Sequence, residues 1–113
     1  MDIGFWSREF PAAITVCDRA GTVLAMNDRA AEMFGKSGGK DLIGRTILDC
    51  HPGEARRKLE HMLANQTTNV YTIEKNGVKK LIYQAPWHEE GEYRGLVEIA
   101  LELPGELPHF IRS

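Results

Sequence analysis

Apolar positions recur in two periods along the chain, and each change of period marks an element. Residues 13–17 and 22–26 alternate in twos, as strands with two unlike faces do. Asn27 then opens a short helix as its N-cap. Ala30, Met33 and Phe34 share one face of that helix, and Gly35 is placed to end it in a left-handed C′ position. Residues 36–40 read as loop, and 42–48 as one or two helical turns interrupted by Gly44. The longest helix spans 53–65, with His51 at the cap, Pro52 at the first helical position and Glu54 against the positive end. Ala55, Leu59, Met62 and Leu63 form its apolar stripe. Glu54–Lys58 and Arg56–Glu60 are candidate surface pairs. The Arg56-Arg57-Lys58 run is read as a solvated face.

Three further strands follow, over 70–75, 78–87 and 93–103. Asn76-Gly77 joins the first two as a tight hairpin turn, and residues 89–92 turn the chain again. In the last strand Val97, Ile99, Leu101 and Leu103 alternate with Glu98, Ala100 and Glu102, so that parity is expected on the buried face. A short helix over 2–10, capped by Asp2, would carry Ile3, Trp6 and Phe10 along one side. The order implies an α+β domain: a five-stranded antiparallel sheet with helices covering one face. Its expected organisation is an N-terminal flanking helix (1–11), the domain (12–103) and a surface tail (104–113).

The spacing Asn-x-x-Ala-x-x-x-Phe-Gly over 27–35, placed after a strand, resembles the signature of PAS domains. The stretch from Ala13 to Leu24 is similar to that family's first hairpin, with Asp18 and Gly21 in the turn. Asp41 to Arg45, followed by Asp49, is similar to its "leucine-isoleucine-glycine" turn. The resemblance covers about residues 10 to 103. One departure is the last strand, which closes on Leu101-Glu102-Leu103 where the family often has Asp-Ile-Thr. The resemblance implies a cavity between sheet and helices, and a sensory, signal-transducing role with regulation of transcription among its expected outputs. A ligand-free interaction module with a filled core is the alternative.

Composition narrows the chemistry. At 113 residues, a single domain is expected, and no apolar run approaches the length of a membrane span. A net charge of −2 gives no general attraction to nucleic acid or anionic membrane. Cys17 and Cys50 form no disulfide framework and are read as reduced thiols of a cytoplasmic protein. Enzyme activity is not expected: Ser7, Ser37 and Ser113 lie in no nucleophile turn, and no buried carboxylate pair is evident. Gly35-Lys36-Ser37 fails as a phosphate loop, because residue 30 is alanine where the first glycine would stand.

His51, His61, His88 and His109 lack zinc spacing, so no metal site is expected. Haem is disfavoured as well: His61 lies about 145° from the helix's apolar stripe, and His51 is read as a cap. Light-sensing flavin chemistry is disfavoured by resemblance, for no Asn-Cys-Arg-Phe-Leu-Gln-like segment exists, which leaves any cofactor unknown. The cavity is expected to be lined by Met33, Leu59, Met62, Leu63, Tyr83, Trp87, Val97 and Ile99, around an unidentified small molecule. Ile3, Trp6 and Phe10 are the expected homodimer interface, with a signalling protein in trans as a further partner.

Overall fold

The computed structural model describes residues 1–113 apart from the side chain of Cys50, so the expectation of a free thiol there lies outside the described residues. Strands β1 (Ala13–Asp18) and β2 (Val23–Met26) form the first hairpin. Asp18 Oδ1 accepts from the backbone of Ala20 and Thr22, each at 2.9 Å, and thereby fixes the turn. Helix α1 (Asp28–Met33) follows, then 3-10 turns over Gly35–Ser37, Gly39–Leu42 and Ile47–Cys50. Helix α2 (Glu54–Asn65) leads to β3 (Asn69–Lys75), β4 (Val78–Glu89) and β5 (Glu92–Leu103). The five strands pair antiparallel in the order β2-β1-β5-β4-β3.

Asn27 is the joint of the structure. It is 0% exposed, yet every polar position of its side chain is engaged. Oδ1 accepts from Ile14 N at 2.9 Å and Ala30 N at 3.0 Å, while Nδ2 donates to Ser7 O at 2.9 Å and Ala12 O at 2.8 Å. One side chain thus caps α1, holds β1 and ties down the N-terminal segment. Ala30 packs beneath it at 0% exposure, with Met33 and Phe34 half-buried against the same cluster.

Several local expectations are corrected. The N-terminal segment is a set of turns over Phe5–Glu9 and not a helix; Ser7 bonds back to the carbonyls of Ile3 and Gly4, and its own carbonyl is taken by Asn27. Ile3 packs on the sheet while Trp6 and Phe10 stay exposed. Gly35 does not adopt the left-handed conformation; the chain continues into a 3-10 turn, and Gly38 and Gly39 take the positive φ instead. Gly53, not His51, is the N-cap of α2, so Pro52 lies outside the helix. Glu54 pairs with Arg57 in place of Lys58, while Arg56–Glu60 forms at 3.6 Å. Asn76 and Gly77 both have positive φ, as the hairpin turn requires.

The two sheet faces differ. Ala13, Cys17, Ile82 and Ala100 lie in the core with Met26, Ala30 and Leu42, under α1. Leu59, Met62 and Leu63 bring α2 onto Leu96. The other face carries Ile14, Val16 and Ala25, with Ile3, Trp87, Val97 and Ile99 packed against them. The two sheet edges also differ: Gly44–Ile47 bonds along β2 through Gly44 N to Val23 O and Val23 N to Arg45 O, both 2.8 Å, whereas β3 is an edge strand exposed along most of its length. No helix among the described residues is long and apolar enough to cross a membrane.

Candidate functional site

A cavity of about 200 Å³ lies between the sheet and the helical segment. Its walls are apolar: Val23 and Met26 from β2, Phe34 beyond α1, Leu42 and Ile47 from the 3-10 turns, and Leu59 from α2. The floor is the sheet, and there the character changes. Thr15, Glu98, Gln84 and Asn69 stand in one register row across β1, β5, β4 and β3. Asn69 Nδ2 donates to Gln84 Oε1 at 3.0 Å, and Gln84 Nε2 donates to Glu98 Oε1 at 2.8 Å. Thr15 and Gln84 are buried and Glu98 is half-buried. This row puts one directed chain of hydrogen bonds, ending on a carboxylate, beneath a space walled mainly by apolar side chains.

Cys17 lies beside it in the floor and is free. Its thiol is pushed up to about 12, first by burial and then by the nearby charges of Glu98 and Asp18. It is therefore held as the neutral thiol, a poor nucleophile. A shallower cleft of about 190 Å³ opens beside Leu59; it is bordered by His51, Ala55, Lys58 and Met62, and it shares Gln84 and Glu98 with the cavity. Leu59 thus lines both the cavity and this more open groove. Ser37, Arg45 and Thr46 complete the cavity lining on the helical side.

Of the residues expected to line this cavity, only Leu59 does so. Met62 borders the side cleft, and Leu63 is buried against Leu96. Met33 lines a separate cleft of about 230 Å³ near Lys80 and Glu102. Tyr83, Trp87, Val97 and Ile99 face away from the cavity. The strand alternation is as expected, but its sense is reversed: Tyr83 pairs with Ile99 on the outer face, and Gln84 pairs with Glu98 inside. The more apolar parity of β5 is outside because the N-terminal segment, through Ile3, also needs an apolar surface. The floor residues Thr15, Cys17, Gln84, Leu96 and Glu98 were missed, and so were the lining residues contributed by β2, Phe34 and the 3-10 segment.

No histidine lines the cavity. His51 is exposed, with Nδ1 at 2.7 Å from Ile47 O, and His61 is exposed beside Asn65 on α2. Among the described residues no cluster of metal-ligating side chains occurs.

The PAS fold family matches residues 7–103, most of the chain. The PAS domain of Bordetella pertussis BvgS is similar at 20% identity, with 88% of this chain and 82% of that one covered and a TM-score of 0.62. A PAS domain of an HTR-like protein from Haloarcula marismortui is similar at 19% identity, over 86% and 85%, with a TM-score of 0.60. VqmA of Vibrio cholerae, a dimer with a target DNA, is similar at 16% identity over 94% of this chain and 54% of its own, with a TM-score of 0.64; it has also been solved bound to DPO. No curated protein matches in sequence. With its five-stranded antiparallel sheet, its Asn27 joint and a family match spanning nearly its whole length, the chain belongs to the PAS-fold family.

Proposed function

We propose that this PAS domain is a sensory module that holds one small organic molecule between sheet and helices and signals through contacts with a second copy or a signalling partner. The cavity of about 200 Å³ carries this reading. Protein interiors leave few voids larger than a water molecule, and an apolar cavity of about 150 Å³ is enough to take up benzene. A filled-core interaction module would not need that space, nor a hydrogen-bonded polar row beneath it. VqmA, with its DPO-bound form and its target DNA, supplies a precedent for a ligand-holding regulator on this fold, at a likeness of fold alone.

A bound molecule would act by favouring one of two packings of α2 on the sheet, limited by its differential affinity for each. Leu59 is the natural place for that choice, since it lines both cavity and cleft. The output surface would be the outer sheet face and the aromatic N-terminal turns. Trp6 is 63% exposed, and its ring meets Phe10 edge-on at 5.8 Å. Such a surface is typical of interface centres.

The test is a library of one-ring fragments, followed by the amide NMR shifts of residues 15, 84, 96 and 98. Hits that shift these amides, and that lose binding when Leu96→Phe fills the cavity of a still-folded chain, support the reading. A library with no such hit overturns it.

A further inference from the structure

We propose that the cavity selects a one-ring organic cation, an ammonium or amidinium borne on an aromatic or aliphatic ring, whose charged N–H group is received by Glu98. The inference rests on the reading of the cavity as a ligand site and adds the chemical class of the ligand.

Three observations converge on it. The first is the direction of the hydrogen bonds. Asn69 donates to Gln84 and Gln84 donates to Glu98 Oε1, so the row delivers one N–H to the carboxylate and stops there. Glu98 Oε2 accepts from no protein donor among the described residues, and no half-buried side-chain oxygen is sealed off without a partner. Oε2 therefore opens onto the spaces that Glu98 lines, as an acceptor with unused capacity.

The second is charge. Among the described residues no lysine or arginine nitrogen pairs with Glu98; the ion pairs all lie elsewhere, on exposed side chains. A carboxylate set among Leu96, Leu59 and Cys17 gives up hydration, and it regains that loss best against a donor carrying positive charge. An anionic ligand would meet repulsion from Glu98; the cations that border these spaces, Arg45 on the helical side of the cavity and Lys58 in the neighbouring cleft, are exposed and form no ion pair with that carboxylate. A metal ion is a poor fit, since among the described residues no group of three or more His, Cys, Asp or Glu side chains comes together.

The third is size and wall chemistry. A volume of about 200 Å³ exceeds that of a benzene-binding cavity and falls well short of a porphyrin. Phe34, Leu42 and Ile47 supply apolar contact for a ring, while the floor supplies the acceptor. A ring with one short cationic arm satisfies both.

The experiment uses the whole chain and three probes of matched size: benzylammonium, benzyl alcohol and toluene. Affinities are read from the amide NMR shifts of residues 15, 84, 96 and 98. The expected order is benzylammonium, then benzyl alcohol, then toluene, with the first on the order of tenfold tighter than the last. In Glu98→Gln, which keeps size and an acceptor but removes the charge, benzylammonium should lose that advantage while toluene binds as before. Equal binding of toluene and benzylammonium to the wild-type chain overturns the cation preference and leaves the cavity reading intact, and so does an advantage that persists in Glu98→Gln. If none of the three probes moves the cavity amides, the cavity reading fails and the inference with it.

Discussion

Trp87 Nε1 donates to the carbonyl oxygen of Cys17 at 2.9 Å, although a whole strand lies between them. Trp87 on β4 is opposite Gly95 on β5, and Gly95 is opposite Asp18 on β1. The indole reaches across at the one place on β5 without a side chain. A Cβ on Gly95 would come within 2.0 Å of Cys17 O and 2.7 Å of the Asp18 carbonyl carbon, both backbone atoms that have little room to move.

Two substitutions should therefore differ in kind. Gly95→Ala forces β1 and β5 apart and should cost on the order of 3 kcal/mol or more. Trp87→Phe keeps most of the apolar contact and loses one hydrogen bond, for about 1 kcal/mol. Urea denaturation of the two variants measures both. A Gly95→Ala chain as stable as wild type would refute the close approach.

The Asn27 joint gives a pH-dependent expectation. Asn27→Asp retains the acceptor for Ile14 and Ala30 but sets an oxygen against the carbonyls of Ser7 and Ala12. Loss of two buried hydrogen bonds and the new repulsion should destabilise the fold by about 3 kcal/mol or more near neutral pH. Burial and the two carbonyls would raise the folded-state pKa of the introduced carboxyl above its unfolded value. The folded chain then takes up the proton more readily, so the deficit should shrink as pH falls through that raised value. Denaturation midpoints compared at pH 7 and pH 5, each against wild type, show whether it does.

How far the sequence could be read follows from which physical signals are local. The Asn27 cap, the Asn76-Gly77 turn and the α2 stripe depend on neighbours a few residues away, and each has its counterpart in the structure, except that of the stripe Leu59, Met62 and Leu63 are buried while Ala55 is exposed. The polar row depends on register. Asn76-Gly77 alone sets Asn69 opposite Gln84. The next turn would set Gln84 opposite Val97, but a bulge between Trp87 and His88 moves the pairing by one residue and brings up Glu98. Nothing in the composition of that hairpin announces the bulge. The inward sense of β5 was hidden for another reason: a cavity with a polar floor inverts the usual rule that the more apolar parity is the covered one.

Cys17 should set the alkaline limit of stability. Its pKa is raised from 9.0 to about 12 in the folded chain, chiefly by burial. Above pH 9 the unfolded chain releases this proton while the folded chain keeps it, so unfolding gains as pH rises. The stabilisation is fully present below pH 9.0 and is lost progressively toward pH 12, at up to about 1.4 kcal/mol per pH unit. Tyr71 and Tyr93, both raised mainly by burial, act in the same direction at higher pH. The difference between wild type and Cys17→Ala isolates the thiol: the variant should show a shallower alkaline decline. Equal slopes would mean that the thiol is not buried in solution. Reaction with an aromatic disulfide reagent gives a second check, since Cys17 should react only as the chain unfolds.

The last expectation concerns the aromatic turns at the N-terminus. Phe5 is 92% exposed and Trp6 63% exposed, a poor use of large apolar groups in a monomer unless something covers them. A second copy is the simplest cover, with the two N-terminal segments packed against each other or onto the outer sheet face, where Val70 and Tyr83 are also exposed. Deleting residues 1–10 would not test this cleanly. It would remove the Ser7 carbonyl that Asn27 Nδ2 needs and so damage the joint of the fold. Trp6→Ser and Phe5→Ser leave that carbonyl in place. Each should leave the urea midpoint of the isolated fold nearly unchanged, because the replaced rings bury little within the chain. Together they should shift the self-association constant by tenfold or more, as loss of a central aromatic anchor does. Sedimentation equilibrium across a wide concentration range reads that shift. A wild-type chain that remains monomeric at the highest concentration, or a double variant that associates as tightly as wild type, would rule these residues out as the contact.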